Sequence, residues 1–277
     1  MISELKKRYP WPESKPDLPF DNHGWFGWFH KAMMDVVLPS DANVIIEMGS
    51  WLGLSTRFML SQTPATIIAI DHWKGDKSIF SATDDEINNK IPTLYEAFLS
   101  NCWEYRERLV PMKTTTITGL QELHDLGIKP DFIYLDASHQ YEDAKADLDE
   151  VWRLFPDVRL GGDDYGGKWD GVKRAVDEHT ERAGRILCLS ENAWTIARIE
   201  EKDTIEKSLK TAMMFRYEEM DMAAEAMRHK EIDMAAEAMY NEEMDIVAEA
   251  IYNEEMNMTA EAMQTNVIKT SEEEKKT

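Results

Sequence analysis

The chain has 277 residues, 53 acidic against 31 basic, for a formal net charge of −22. That balance argues against nucleic acid and anionic membranes as main partners, because phosphate recognition needs clustered Lys and Arg. The length suits one well-buried domain with an extension, and Cys102 and Cys188, far apart and in no CxxC pair, fit a reducing compartment.

Residues 1–40 form a Pro-rich and aromatic-rich segment. Tyr9-Pro10-Trp11-Pro12, Pro16 and Pro19 forbid one continuous helix, and a short helix is predicted from Trp25 to Val37. Met1 to Ser14 carries no apolar h-region, and no stretch approaches the ~18 apolar residues of a membrane span, so a cytosolic protein with no membrane partner is expected.

From 41 to 200, apolar runs alternate with amphipathic stretches. The runs are Val44 to Glu47, Thr66 to Ile70, Leu109 to Lys113, Phe132 to Leu135, Val158 to Leu160, Ile186 to Leu189 and Trp194 to Ile199. This alternation reads as βαβ units and a parallel sheet. The last two runs are separated only by Ser190-Glu191-Asn192-Ala193, too short for a helical crossover, so they should pair antiparallel. The predicted fold class is therefore α/β, a Rossmann-like, seven-stranded, mostly parallel sheet with an antiparallel C-terminal hairpin.

Residues 201–277 contain no Gly or Pro, and Met, Ala and Glu dominate. A 12-residue tandem repeat starts at Glu219, Glu231, Glu243 and Glu255. Each unit holds a helical apolar set such as Met220, Ala223, Ala224 and Met227. Twelve residues at about 100° each turn the next unit's stripe by about 120°, so one straight helix would have no continuous apolar face. From 200 onward there are 21 acidic and 9 basic residues, so this tail carries more than half the net charge. The tail reads as a solvated helical appendage, with self-association or partner binding as the competing reading.

Two acidic clusters follow apolar runs directly, Asp136-Ala137-Ser138-His139 and Gly161-Gly162-Asp163-Asp164-Tyr165. Both should lie at carboxyl ends of strands, where open α/β sheets bind ligands. Three carboxylates and an imidazole on one rim repel each other unless neutralised, and hard oxygen ligands suit Mg²⁺, Mn²⁺ or Ca²⁺. The first strand runs into Glu47-Met48-Gly49-Ser50-Trp51-Leu52-Gly53-Leu54-Ser55, a glycine turn that opens a helix and lets backbone approach a ligand. Trp51 stands where a dinucleotide fingerprint needs glycine, which weakens an NAD reading. Asp71 ends the second strand, where a carboxylate can accept from both ribose hydroxyls.

In this order, Glu47-x-Gly49, Asp71-His72-Trp73-x-Gly75-Asp76, Asp136-x-x-His139-x-Tyr141-Glu142, Gly162-Asp163-Asp164-Tyr165 and Trp169-x-Gly171-Val172, the chain resembles class I S-adenosylmethionine-dependent methyltransferases. It is more narrowly similar to the metal-dependent group that includes macrocin-type sugar O-methyltransferases. The likeness covers roughly residues 40 to 200. It implies that Glu47, Gly49 and the turn through Ser50, Gly53 and Ser55 hold the methionyl part of S-adenosylmethionine. Asp71, with His72 and Trp73 beside it, would hold the ribose, and Asp136 would border the cofactor. Asp136, Asp163 and Asp164 would bind a divalent metal, Mg²⁺ first among the candidates. His139 would be the general base, since Ser138 stands where relatives often carry an acidic residue.

Trp73 and the Thr115-Thr116 pair are further candidates for the adenine. Trp25, Phe26 and Trp28 are candidates for a lid, and Tyr165 and Trp169 for the acceptor pocket, with core packing the commoner role of such aromatics. The function implied is methyl transfer to a hydroxyl of a small molecule, a sugar or glycosylated metabolite among the candidates. Two readings compete with it: a metal-dependent oxygenase on the same scaffold, and a catalytically idle module whose repeat tail does the work.

Overall fold

The structure is a computed structural model that describes residues 1–75 and 85–228. It divides into two units, Met1–Glu218 and Glu219–Thr277. In the second unit residues 219–228 are helical. The remaining repeats, from Glu231, Glu243 and Glu255, lie outside the described residues.

The first unit is built on seven strands: β1 Val44–Met48, β2 Thr66–Asp71, β3 Leu109–Lys113, β4 Phe132–Leu135, β5 Arg159–Gly162, β6 Ile186–Ser190 and β7 Ala193–Ala197. Their order is β3-β2-β1-β4-β5-β7-β6. β1 to β5 pair in parallel, and β7 inserts antiparallel between β5 and β6. The sheet is thus the expected one, mostly parallel with an antiparallel C-terminal hairpin. Its boundaries differ at β7, which ends at Ala197, and at β5, which runs on through Gly161 and Gly162 as they pair with Thr195 and Trp194. Asp163 therefore leaves the sheet directly from the strand end.

Helices cover both faces, which is why the strands read as continuous apolar runs. The helices are α1 Ile2–Arg8, α2 Trp28–Val37, α3 Leu54–Gln62, α4 Asp85–Lys90, α5 Leu94–Asn101, α6 Thr116–Asp125, α7 Tyr141–Leu154 and α8 Asp170–Arg182. Ile46, Met48, Ile68 and Ile70 pack on one side with Leu5 of α1, Leu120 of α6, Leu148 of α7 and Val176 of α8. Ile45, Ile67 and Ala69 pack on the other with Met34 of α2, Met59 of α3, Phe98 of α5 and Leu209 from the helical residues 202–218. The period of two along β1 and β2 sends alternate residues to opposite layers. Pro111 is tolerated because β3 is an edge strand. Among the described residues, no helix is long and apolar enough to cross a membrane.

Candidate active site

The glycine turn follows β1. Gly49 has φ +87°, and a Cβ there would lie 1.8 Å from the Asp136 carbonyl oxygen, so this position admits no side chain. Gly53 starts α3 at φ +82°, with a Cβ position 2.5 Å from Cys102 Sγ. Between them Asp71 Oδ2 accepts from the backbone N–H groups of Ser50 and Trp51, both at 3.0 Å, and Oδ1 accepts from Trp73 N at 2.6 Å. The end of β2 thereby fixes the turn after β1.

Glu47 lies beneath this turn, fully buried. It accepts from Ser50 Oγ at 2.7 Å, from Ser55 Oγ at 2.5 Å and from Thr56 Oγ1. Burial pushes its pKa up to about 7, against the three hydroxyl donors that pull it down, and the nearby Asp71 charge adds to the rise. Ser50 and Ser55 thus spend their hydroxyls on Glu47, and Glu47 itself is not in the cavity wall. Trp73 is not in that wall either. It is 3% exposed, its ring centroid 4.8 Å from those of Tyr95 and Phe98, and its Nε1 donates to Trp51 O at 2.9 Å. His72 borders the cavity, and its Nδ1 accepts from Lys74 N at 3.0 Å.

The acidic clusters follow β4 and β5. Asp136, His139 and Asp164 each offer a ligand atom, and these atoms lie within 4.8 Å of one another. His139 Nε2 is hydrogen-bonded to Asp164 Oδ2, the ring lies 4.0 Å from that of Trp169, and Nδ1 is buried with no partner. Asp164 adopts φ +65°, a backbone region that costs an ordinary residue free energy and that clusters at functional sites. Burial, then the charges of Asp163 and Asp164, hold the Asp136 carboxyl well above its usual range.

Asp163, expected beside Asp136 and Asp164, turns elsewhere. Its Oδ2 is 2.6 Å from Nε2 of His30, a fully buried residue of α2, and its Oδ1 accepts from Asp164 N at 2.7 Å. His30 Nδ1 accepts from Gly27 N at 2.8 Å, so the ring proton sits on Nε2 and donates to Asp163. Sequence reading missed His30, whose local tie is the single bond that its Nδ1 accepts from Gly27 N just before α2.

Both ends of the site open into one cavity of about 1210 Å³. That exceeds the ~300–1,000 Å³ typical of a single small-ligand pocket and leaves room for a cofactor and an acceptor together. Gly49, Ser50, Ser55, Asp71 and Thr114–Ile117 line one side, and Asp136, His139, Asp163, Asp164 and Trp169 the other. Trp25 and Phe26 of the N-terminal segment line it too. Trp28 does not, and packs against Phe29 and Tyr217. Tyr165 also lies outside the wall, its hydroxyl donating to Asp177 at 2.7 Å. His23 and Trp51 join Trp25 in an aromatic group at the rim, Trp51 Nε1 lying 3.2 Å from His23 Nδ1.

Residues 46–165 match the family described as a methyltransferase domain. The chain therefore carries a methyltransferase domain of the S-adenosylmethionine-dependent kind. No curated protein matches it. Among solved structures it is similar to the Methanococcus jannaschii fibrillarin pre-rRNA processing protein, at 14% identity and TM-score 0.40, covering 58% of this chain and 66% of that one. It is similar as well to CalS11, a TDP-rhamnose 3'-O-methyltransferase of calicheamicin biosynthesis, at 18% identity and TM-score 0.40, covering 62% and 76%. A Bacillus cereus O-methyltransferase in complex with SAH aligns at 14% identity and TM-score 0.44, covering 70% and 95%. Likenesses this distant do not bear on the acceptor.

The donor set fits a hard divalent cation. Two carboxylates and an imidazole converge, and no Lys or Arg stands among the three to offset the like charges around Asp136. Only one histidine belongs to this group, whereas the iron oxygenase pattern asks for two with one carboxylate.

Proposed function

We propose that this methyltransferase is a divalent-metal-dependent O-methyltransferase acting on a small hydroxylated acceptor, with sugars or glycosylated metabolites as the first class to test. The observation that carries the reading is that Asp136, His139 and Asp164 converge on the same cavity wall system as the Gly49 to Gly53 turn. Cofactor and acceptor ends thus share one enclosure.

The turn and Asp71 hold the cofactor, with backbone approach at Gly49 and N–H groups at the start of α3. The acceptor hydroxyl lies against His139 and Trp169. Its oxygen would form a bond to the cofactor's methyl carbon as the carbon–sulfur bond breaks, and its proton would pass to the His139 imidazole. Asp164 orients the ring through Nε2, which leaves Nδ1 as the free base nitrogen. Asp136 and Asp164 would hold the cation, which would supply Lewis acidity to lower the hydroxyl pKa and orient the acceptor. Alignment in such a site is worth up to about 7–11 kcal/mol of barrier.

Thermal unfolding with S-adenosylhomocysteine, with and without Mg²⁺, tests the binding sites. A ligand at 100 times its Kd adds about 2.7 kcal/mol of stability. A cofactor shift with a further metal shift supports the reading, and full turnover in the presence of a chelator would refute its metal part.

A further inference from the structure

We propose that Asp147 selects the adenine base of the cofactor, its cavity-facing carboxylate accepting a hydrogen bond from the exocyclic amine. The proposal rests on the S-adenosylmethionine site read above.

Asp147 is 3% exposed and yet borders the cavity. With Asp143 and Ala146 it forms an i, i+3, i+4 face of α7 turned to that space. Its hydrogen bond comes from Thr116 Oγ1, at 2.5 Å to Oδ1. A buried carboxylate wants two or three donors, and among the described residues Thr116 supplies one. The lysine in the cavity wall, Lys168, sits over the Trp169 ring at the acidic end and does not neutralise it. Burial accordingly outweighs the Thr116 bond and raises the pKa of Asp147 to about 7. The methyl transfer chemistry makes no use of this group.

Its location names the ligand. Thr114–Ile117 follow β3, and the acidic group follows β4 and β5. In the order β3-β2-β1-β4 the ends of β3 and β4 are three strand spacings apart, roughly 14 Å at ~4.8 Å each. A nucleoside whose ribose meets Asp71 at the end of β2 and whose sulfonium faces β4 must place its base on the β3 side, against Thr116 and Asp147. Ile117 and Ala146, sequence neighbours of Thr116 and Asp147, line the same cavity, so apolar side chains accompany the acceptor in this wall. An amino-purine matches that acceptor. An oxo-purine would set a carbonyl oxygen against the carboxylate, and a site built to bond an N–H rejects the analogue that lacks it.

The test is calorimetric binding of S-adenosylhomocysteine and of its deaminated analogue, S-inosylhomocysteine, to the wild type, Asp147→Asn and Asp147→Ala. The wild type is expected to prefer the adenosyl ligand at least tenfold. Asp147→Asn, whose amide can donate to the oxo group, should bring that ratio to threefold or below, and Asp147→Ala should lower it as well. Ligand-free melting temperatures of the three proteins separate folding defects from recognition. If the wild type discriminates and both folded variants keep its ratio, or if the wild type binds both ligands equally, Asp147 is not the selector. If the wild type binds neither ligand, the cofactor site itself is wrongly placed and the proposal falls with it.

Discussion

His139 and Asp164, 25 positions apart, share one hydrogen bond that decides which nitrogen of the imidazole is left to work. With Nε2 bound to the carboxylate and Nδ1 without a partner, this bond orients the ring that the proposed mechanism uses as its base. His139→Ala should therefore lower kcat by about 10²–10⁴-fold, the range of a lost general base. Calorimetry should show S-adenosylhomocysteine affinity little changed, since the turn proposed to hold the cofactor is intact.

Asp164→Asn keeps the shape but removes a charge from the cation group and the anchor of His139. Metal-stimulated turnover should be abolished, and the Mg²⁺-dependent increment in melting temperature should vanish while the cofactor increment stays. Retention of the metal increment would show that Asp164 is not a ligand.

Gly49→Ala tests the close approach of β1 to β4. The added Cβ would overlap the Asp136 carbonyl at a positive φ, so something in the backbone must move. Strain at such a position costs of order 1–3 kcal/mol, and S-adenosylhomocysteine binding should be lost together with stability.

His30→Ala removes the donor from a carboxylate that has almost no access to water. Losing a hydrogen bond to a charged group costs about 1.5–3 kcal/mol, or roughly 3–12 °C in melting temperature for a domain of this size. His30→Gln, which can still donate, should recover part of the loss.

The ligand-free protein should also respond to pH through Glu47. Its folded pKa of about 7 stands above the ordinary carboxyl value, so between roughly pH 4.5 and 7 the folded chain holds a proton that the unfolded chain has released. Stability from this group therefore falls as pH rises through that window. Glu47→Gln has no such proton to lose, so its melting temperature relative to wild type should climb from pH 5 to pH 8. A flat difference would show that Glu47 is ionised in the fold at all these pH values.

Much of the site was legible because its parts lie where apolar runs stop. The end of β1 announces Gly49, the end of β2 Asp71, the end of β4 Asp136 and the end of β5 the Asp163-Asp164 pair, since a parallel sheet delivers all these ends to one rim. What could not be read was the direction each side chain takes from that rim. Asp163 and Asp164 are neighbours in sequence, yet one turns to His30 and the other to His139. Trp73 follows a ribose candidate by two positions and still packs inward on Tyr95 and Phe98, because a positive φ at that residue redirects the chain. Asp147 gave no signal, as an acidic residue on an amphipathic helix ordinarily faces water.

By itself the sequence determined the sheet, its antiparallel edge and the order of the turns at the strand ends, because these follow from local periodicity and from loop lengths too short to permit another connection. Only the tertiary structure decided which carboxylates converge and which are diverted. Those pairings join residues such as His30 and Asp163, 133 positions apart, and arise when the packing of α2 against the sheet forces each buried polar group to find the donor within reach.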